Sequence, residues 1–351
     1  MAVLLLRILF LSLFSLLKCE KFSSFCGKEY HSLKYVLAPL ERRGTGLVAV
    51  EHIQKGDLLI RERPLLIIHT KQSWFQPSDS YSAAKISRKF ATLSEEEKLS
   101  YQALSQYPQK IATECSAAIS SEDLLAIFRS NAYPFNSTSA AVYPIISRIN
   151  SECKPNVHYH CDSEMYGFVH AIRDIFPGEE ITNCYIGQLL PRSARQEYLQ
   201  RHFGFQCDCM VCCKIGAALD NDDQLRASIA KDLESIRTAA SNSGEKVLTT
   251  FQDFKGMMER LDRQQVRLAE LGIADDPVLQ LQLHDLALQV IRSFLHNSKL
   301  LESDRHHHVD DDHDDDDDDD VILGTVQEEE RKRTLAARNA AMICKGSFLE
   351  Y

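Results

Sequence analysis

Residues 207–213, CDCMVCC, hold four of the eleven cysteines of this 351-residue chain, and no other stretch limits its fold as tightly. A Cys-x-Cys-x-x-Cys run puts three thiolates within reach of one tetrahedral ion, whereas neighbours in a Cys-x-Cys are awkward disulfide partners by geometry. Such clustering favours a metal over a disulfide framework. Three ligands need a fourth.

The chain is long enough to bury one large core or two modest ones, and its 44% hydrophobic content suits a globular protein. Its net charge of −10 comes from the run DDDHDDDDDDD at 310–320, which holds ten aspartates; without it the balance is neutral. No basic surface large enough for nucleic acid is left, so direct binding of DNA or RNA is disfavoured. The opening MAVLLLRILFLSLFSLLKCE has an apolar run too short for a comfortable bilayer span and close to a signal-peptide core in length. Arg7 interrupts it, and a cut after Cys19 would leave Leu17 and Cys19 at the small-residue positions. Residues 1–20 therefore read as an imperfect signal peptide, or else an anchor or an unrepresentative start, and no stable membrane span is expected.

Between residues 35 and 68 the β-rich runs GLVAV and LLIRERPLLII flank the turn-forming QKGD and read as a hairpin. Residues 75–130 turn helical: SEEEKLSYQALSQY opens on Ser94 as N-cap with Glu97 three residues later, and SEDLLAIF follows. A helical insert thus interrupts a β domain. Strand signals return in NVHYHC, GFVHAI and ITNCYI, with the turn FPGEE before the last. Beyond Cys213 the pattern is helical. In DDPVLQLQLHDLALQVIRSFL, Asp276 and Pro277 suit the N-cap and first turn, and Leu283, Leu286, Val290, Ile291 and Phe294 recur at helical spacing as a core stripe. Residues 304–320 are too densely charged to bury and are expected to be a solvated loop. Its RHHHVDDDH could chelate a stray divalent ion, but nothing preorganises those ligands.

Four separated segments, RRGTGLVAV, RSNAYPF, SRINSECKPN and GEEITNCYIG, resemble in that order the SET-domain lysine methyltransferases, most closely the SET-and-MYND type and its fungal relatives without a MYND finger. Residues 66–152 contain only Cys115, too few for such a finger. The resemblance implies an α+β fold: a SET-domain β fold with a pseudoknot over about 30–206, a helical insert at about 70–130, a zinc-binding post-SET segment at 207–213 and an all-helical region at 220–351.

It also implies roles. Arg43, Gly44 and Gly46 would lie against S-adenosylmethionine, whereas by itself a lone G-x-G is more often just a turn. Asn131, otherwise a helix C-cap, would contact the cofactor too. The pattern S-x-x-N-H-S-C-x-P-N keeps Ser147, Asn150, Cys153, Pro155 and Asn156 but has Ser151 for His and Glu152 for Ser. Asn150 would bind the adenosine end. Ser151 retains a backbone N–H but loses the bracing ring, at a cost on the order of 1 kcal/mol. Tyr185 would be the catalytic tyrosine, its alternative being a packed core residue. Cys153 would complete a structural Cys₄ zinc site with Cys207, Cys209 and Cys212, leaving Cys213 over. Phe203 and Phe205 would wall the cofactor and lysine channel, or simply pack the core.

The implied reaction is methyl transfer to the lysine of a protein substrate, with no metal in the chemistry. Free lysine has a pKa near ~10.4, so an apolar channel that disfavours the ammonium helps. Two rivals stand beside the enzyme. One is a SET-like fold without catalysis that presents a peptide groove, suggested by Ser151 and Glu152. The other is a secreted disulfide-bonded protein, suggested by the N-terminal run. It conflicts with reduced thiolates and S-adenosylmethionine, which belong to the nucleus or cytoplasm.

Overall fold

A computed structural model describes residues 34–69, 83–107, 119–136, 138–241, 250–306 and 324–334. The expectations for residues 1–20 and for the aspartate run 310–320 lie outside the described residues. Those described fall into two units: one runs to Ile186 and takes Ser193–Cys212, and the other takes Gly187–Arg192 and the chain from Cys213 on.

The first unit is built on three small sheets. Strands β1 (Tyr35–Leu40) and β2 (Gly44–Ala49) form an antiparallel hairpin around a turn in which Arg42 has φ 61°. The expected pairing of β2 with the following run does not occur. Pro64 cannot donate to a sheet ladder and divides that run into β3 (Leu58–Glu62) and β4 (Leu66–His69), which enter two other sheets. Between β2 and β3, Ile53 is fully buried and bridges to Ile175, so the chain is carried away from β2 before β3 begins.

Strand β4 pairs with β6 (Ser139–Val142), which also pairs with β5 (Tyr133–Asn136). Strand β3 pairs with β9 (Gly167–Ala171), and β9 with β8 (Val157–Cys161). Alternation gives β8 and β9 an inner face of Val157, Tyr159, Val169 and Ala171, in the core with Leu47, Ile53 and Ile181. Their other face carries His158, His160, Phe168 and His170, with the His160 ring stacked on Phe168 at 5.1 Å and His170 at 5.0 Å. Strand β10 (Glu180–Asn183) lies between β2, to which it is antiparallel, and β7 (Asn150–Ser151), to which it is parallel.

The helical insert is borne out. Helices α1 (Ala83–Ala91), α2 (Glu95–Gln102) and α3 (Ser121–Asn131) share a core of Ile86, Phe128, Ile68 and Val142 with β4 and β6. Ser94 caps α2 with both bonds of a capping box: its amide donates to Glu97 at 2.7 Å, and the Glu97 amide donates to its hydroxyl at 3.2 Å. Helix α4 (Arg192–Phe203) leads to the cysteine cluster.

The second unit is helical, with α5 (Ala217–Ser241), α6 (Phe251–Glu270), α7 (Pro277–His306) and α8 (324–334). Asp276 caps α7, accepting from the Val278 and Leu279 amides at 3.0 Å, and the stripe Leu283, Leu286, Val290, Ile291 and Phe294 is buried in its core. Residues 304–306 continue α7 instead of opening a loop, because the dense charge begins only at Asp310. No described helix is long and apolar enough to cross a membrane.

Candidate active site and metal centre

Asn156 fixes the loop that precedes it onto β10. Its amide nitrogen donates to the Glu180 carbonyl at 2.7 Å, its amide oxygen accepts from the Thr182 N–H at 2.8 Å, and its own N–H donates to the Thr182 carbonyl at 3.1 Å. With β7 paired beside it, residues 147–156 are held in register against β10. At the other end, Ser147 accepts from the Tyr143 amide at 2.9 Å and donates to the Asn131 carbonyl at 2.8 Å. The serine therefore ties the end of α3 to this loop.

The loop preceding β2 joins the same assembly. Arg43 donates to Glu180 at 2.6 Å and to the Ser151 carbonyl at 2.6 Å, while the Asn150 amide donates to the other oxygen of Glu180 at 2.8 Å. Glu180 thus bridges two of the residues that the sequence singled out. Gly46 is needed for this closeness: a Cβ there would lie 2.6 Å from Leu40, 2.7 Å from the Asn150 amide and 3.0 Å from Glu180. Gly44 has φ 71° and nothing within 4 Å of where a Cβ would point, so this side of the loop faces open space next to Arg43. Arg43, Asn150 and Glu180 form one cradle of charged and polar groups.

Tyr185 follows β10, and its hydroxyl donates to the Ile149 carbonyl at 2.6 Å. Burial, the largest influence, pushes its pKa well above the usual tyrosine range, so the hydroxyl stays protonated. Its amide donates to the Ser151 hydroxyl at 3.2 Å, and its ring meets Phe203 at 4.9 Å, with Phe205 6.5 Å beyond. Tyr185, Phe203 and Phe205 are thereby brought together. Tyr133 stands close as well: burial raises its pKa to about 12, against the pull of a bond with Asn183.

Asn131 is brought to the loop through its carbonyl, but its side chain donates to the carbonyls of Ser105 at 2.5 Å and Ile127 at 2.7 Å. It therefore also acts as a cap at the end of α3.

Sequence reasoning missed three participants. Glu180 looked like part of a turn. Glu62 is a buried carboxylate that accepts from the amides of Ile145 at 2.9 Å and Ile146 at 2.9 Å, holding the turn that leads into Ser147; burial lifts its pKa to about 8 against those amides. Tyr107 packs its ring against Gly204, which has φ 75° and no room for a side chain there. A Gly between two phenylalanines could have flagged the last; nothing local marked the others.

Cys153, Cys207, Cys209 and Cys212 are all buried, with sulfurs within 4.8 Å of one another. Cys153 lies 3.5 Å from Cys212 and 4.0 Å from Cys207, too far to be bonded. A tetrahedron with metal–sulfur bonds of about 2.3 Å has edges of about 3.8 Å, so the spacing fits a Cys₄ zinc site. Cys213 is exposed and outside the group. Arg195 is fully buried with its guanidinium 3.8 Å from the Cys212 sulfur. Burial opposes its charge, while Cys153 and Cys212 favour it. Gln196 donates to the Cys207 carbonyl at 2.7 Å and accepts from the Cys207 amide at 2.8 Å.

Residues 44–186 match the family described as the SET domain. The chain is 31% identical over 185 residues to histone-lysine N-methyltransferase set5 of Schizosaccharomyces pombe, covering 52% of this chain and 51% of that protein. It is 32% identical over 156 residues to human histone-lysine N-methyltransferase SMYD3, covering 42% of this chain and 36% of that protein. To histone-lysine N-methyltransferase ATXR4 of Arabidopsis thaliana it is 34% identical over 91 residues, covering 26% of this chain and 28% of that protein. The chain thus spans about half or less of the length of these relatives.

Proposed function

Since residues 44–186 of this chain form a SET domain, we propose that it is an S-adenosylmethionine-dependent protein-lysine N-methyltransferase. The observation that carries this reading is the placement of Tyr185. Its hydroxyl is fixed on Ile149, one residue from Asn150, and its ring packs at a tilt against Phe203. The relatives named as histone-lysine methyltransferases support a protein substrate with a target lysine.

Arg43, Gly44, Gly46, Asn131, Ser147, Asn150, Ser151, Phe203 and Phe205 would hold the cofactor, which supplies a methyl group on a sulfonium for in-line transfer to a neutral lysine amine, with the proton released to water. Glu180 holds Arg43 and Asn150 to one carboxylate and so fixes their spacing. Phe203 and Phe205 make an apolar wall that disfavours the ammonium form of the incoming lysine. Tyr185 and the carbonyls around it orient the amine, so rate comes from positioning and electrostatics more than from proton transfer.

Zinc at Cys153, Cys207, Cys209 and Cys212 would be structural, pinning the 147–156 loop to the segment after α4. The buried Arg195 supports it: its guanidinium lies 3.8 Å from the Cys212 sulfur, and a metal tetrathiolate is an anion for that cation to face. Reduced thiolates favour the nucleus or cytoplasm. The test is transfer of labelled methyl from S-adenosylmethionine to a lysine-bearing protein extract, with calorimetric binding of the cofactor measured beside it. Binding without transfer to any extract favours the peptide-interaction module, and neither binding nor transfer ends the methyltransferase reading.

A further inference from the structure

Arg195 is a buried charge that the proposed chemistry leaves unused. It is on α4, 0% exposed, with Cys212 and Cys153 facing it. An isolated guanidinium in such surroundings carries a large desolvation penalty unless an opposite charge lies within contact. The Arg195 guanidinium lies 3.8 Å from the Cys212 sulfur, and Cys153 faces it as well. Four thiolates around a divalent metal carry two net negative charges, also expensive to bury. Each charge offsets the cost of the other.

Gln196, the next residue, divides the work differently. Its side chain makes two bonds to the backbone of Cys207 and none to a sulfur, so it orients a ligand without altering the charge of the site.

We propose that Arg195 is the buried counter-ion of the metal–thiolate cluster, and that its charge sets how firmly the metal is held. This inference rests on the zinc reading above. It concerns affinity and not catalysis, so it is read without measuring methyl transfer.

Zinc per chain is measured on purified wild type, Arg195→Gln and Arg195→Lys, and the metal is then withdrawn by graded concentrations of a chromophoric chelator at fixed neutral pH. Partners of metal ligands are typically worth about 10–100-fold in metal affinity. Arg195→Gln is expected to surrender zinc at about 10-fold lower chelator or less, and Arg195→Lys to stay within about 3-fold of wild type. Zinc-loaded wild type with an Arg195→Gln variant that holds metal equally well overturns the counter-ion role and leaves the zinc reading intact. A lysine variant as weak as the glutamine variant also overturns it, since charge would then not be what counts. Wild type without zinc ends both.

If Arg195→Gln fails to fold, the double variant Arg195→Gln, Cys209→His decides. A neutral imidazole in place of one thiolate restores the net charge of the wild-type site, and Cys₃His is an accepted zinc set. Recovery of a folded, zinc-bearing protein supports the role. A double variant no better than the single one overturns it.

Discussion

The Tyr185 hydroxyl donates to the main-chain carbonyl of Ile149 at 2.6 Å, binding the segment after β10 to the residue before Asn150. Tyr185→Phe removes that one oxygen and keeps the ring against Phe203. Loss of a preorganised polar contact used in the transition state costs about 10²–10³ in rate. Methyl transfer from labelled S-adenosylmethionine should fall by that order, while zinc content and circular dichroism stay as in wild type. Undiminished transfer would mean that Tyr185 is not in the active site.

Glu180 serves Arg43 and Asn150 at once. Glu180→Ala frees both, and one hydrogen bond to a charged group is worth about 1.5–3 kcal/mol. Calorimetry should show cofactor affinity reduced by at least about 10-fold. Glu180→Gln keeps one acceptor and should fall between wild type and alanine; equal affinities for all three would show that the bridge does not shape the cradle.

The metal cluster draws one ligand from 54 residues before the first of the others. Cys153→Ser should therefore be as damaging as Cys209→Ser, since either leaves three ligands, and a chelator should lower the melting temperature of wild type but not of either variant. About one zinc per chain is expected by elemental analysis. Intact stability in Cys153→Ser would remove it from the ligand set.

His160 is 5% exposed, and neither ring nitrogen has a hydrogen bond among the described residues. Burial, then His170 and His158, push its pKa down to about 3, and burial with His158 pushes His170 down to about 4. Unfolded histidine titrates near about 6.5. The stability these rings contribute is therefore complete above about pH 6.5 and is lost as the pH falls toward their folded values, where the unfolded chain binds protons that the folded one refuses. Melting temperatures measured from neutral pH downward should drop over that window, and His160→Phe should flatten the slope.

What could be read in advance was local. The capping box at Ser94, the cap at Asp276 and the stripe from Leu283 to Phe294 depend on residues within a turn or two of each other, and each stands as read. The thiolate run announced itself through spacing. Strand partnership did not: GLVAV pairs with the strand before it, β1, and with the distant β10 instead of the run that follows it, because pairing also depends on cores assembled from distant segments. The loss of the histidine ring at position 151 was legible. The answering contact, the Ser151 hydroxyl accepting from the Tyr185 amide, was not. Arg195 and Glu62 escaped for the same reason, since their meaning lies wholly in what surrounds them.

Strand β10, caught between β2 and β7, has a consequence for synthesis. The ribosome delivers Arg43 and Asn150 long before Glu180 arrives to join them, and Cys153 waits for the last of its three partners at Cys212. Contacts so far apart in the chain close slowly, after the cost of ordering the intervening loops. The nascent chain thus has no finished cradle until Glu180 has left the exit tunnel, and no complete cysteine cluster to pin the loop until Cys212 has. A stalled chain ending before residue 207 should be captured by chaperones and be deaf to both cofactor and zinc.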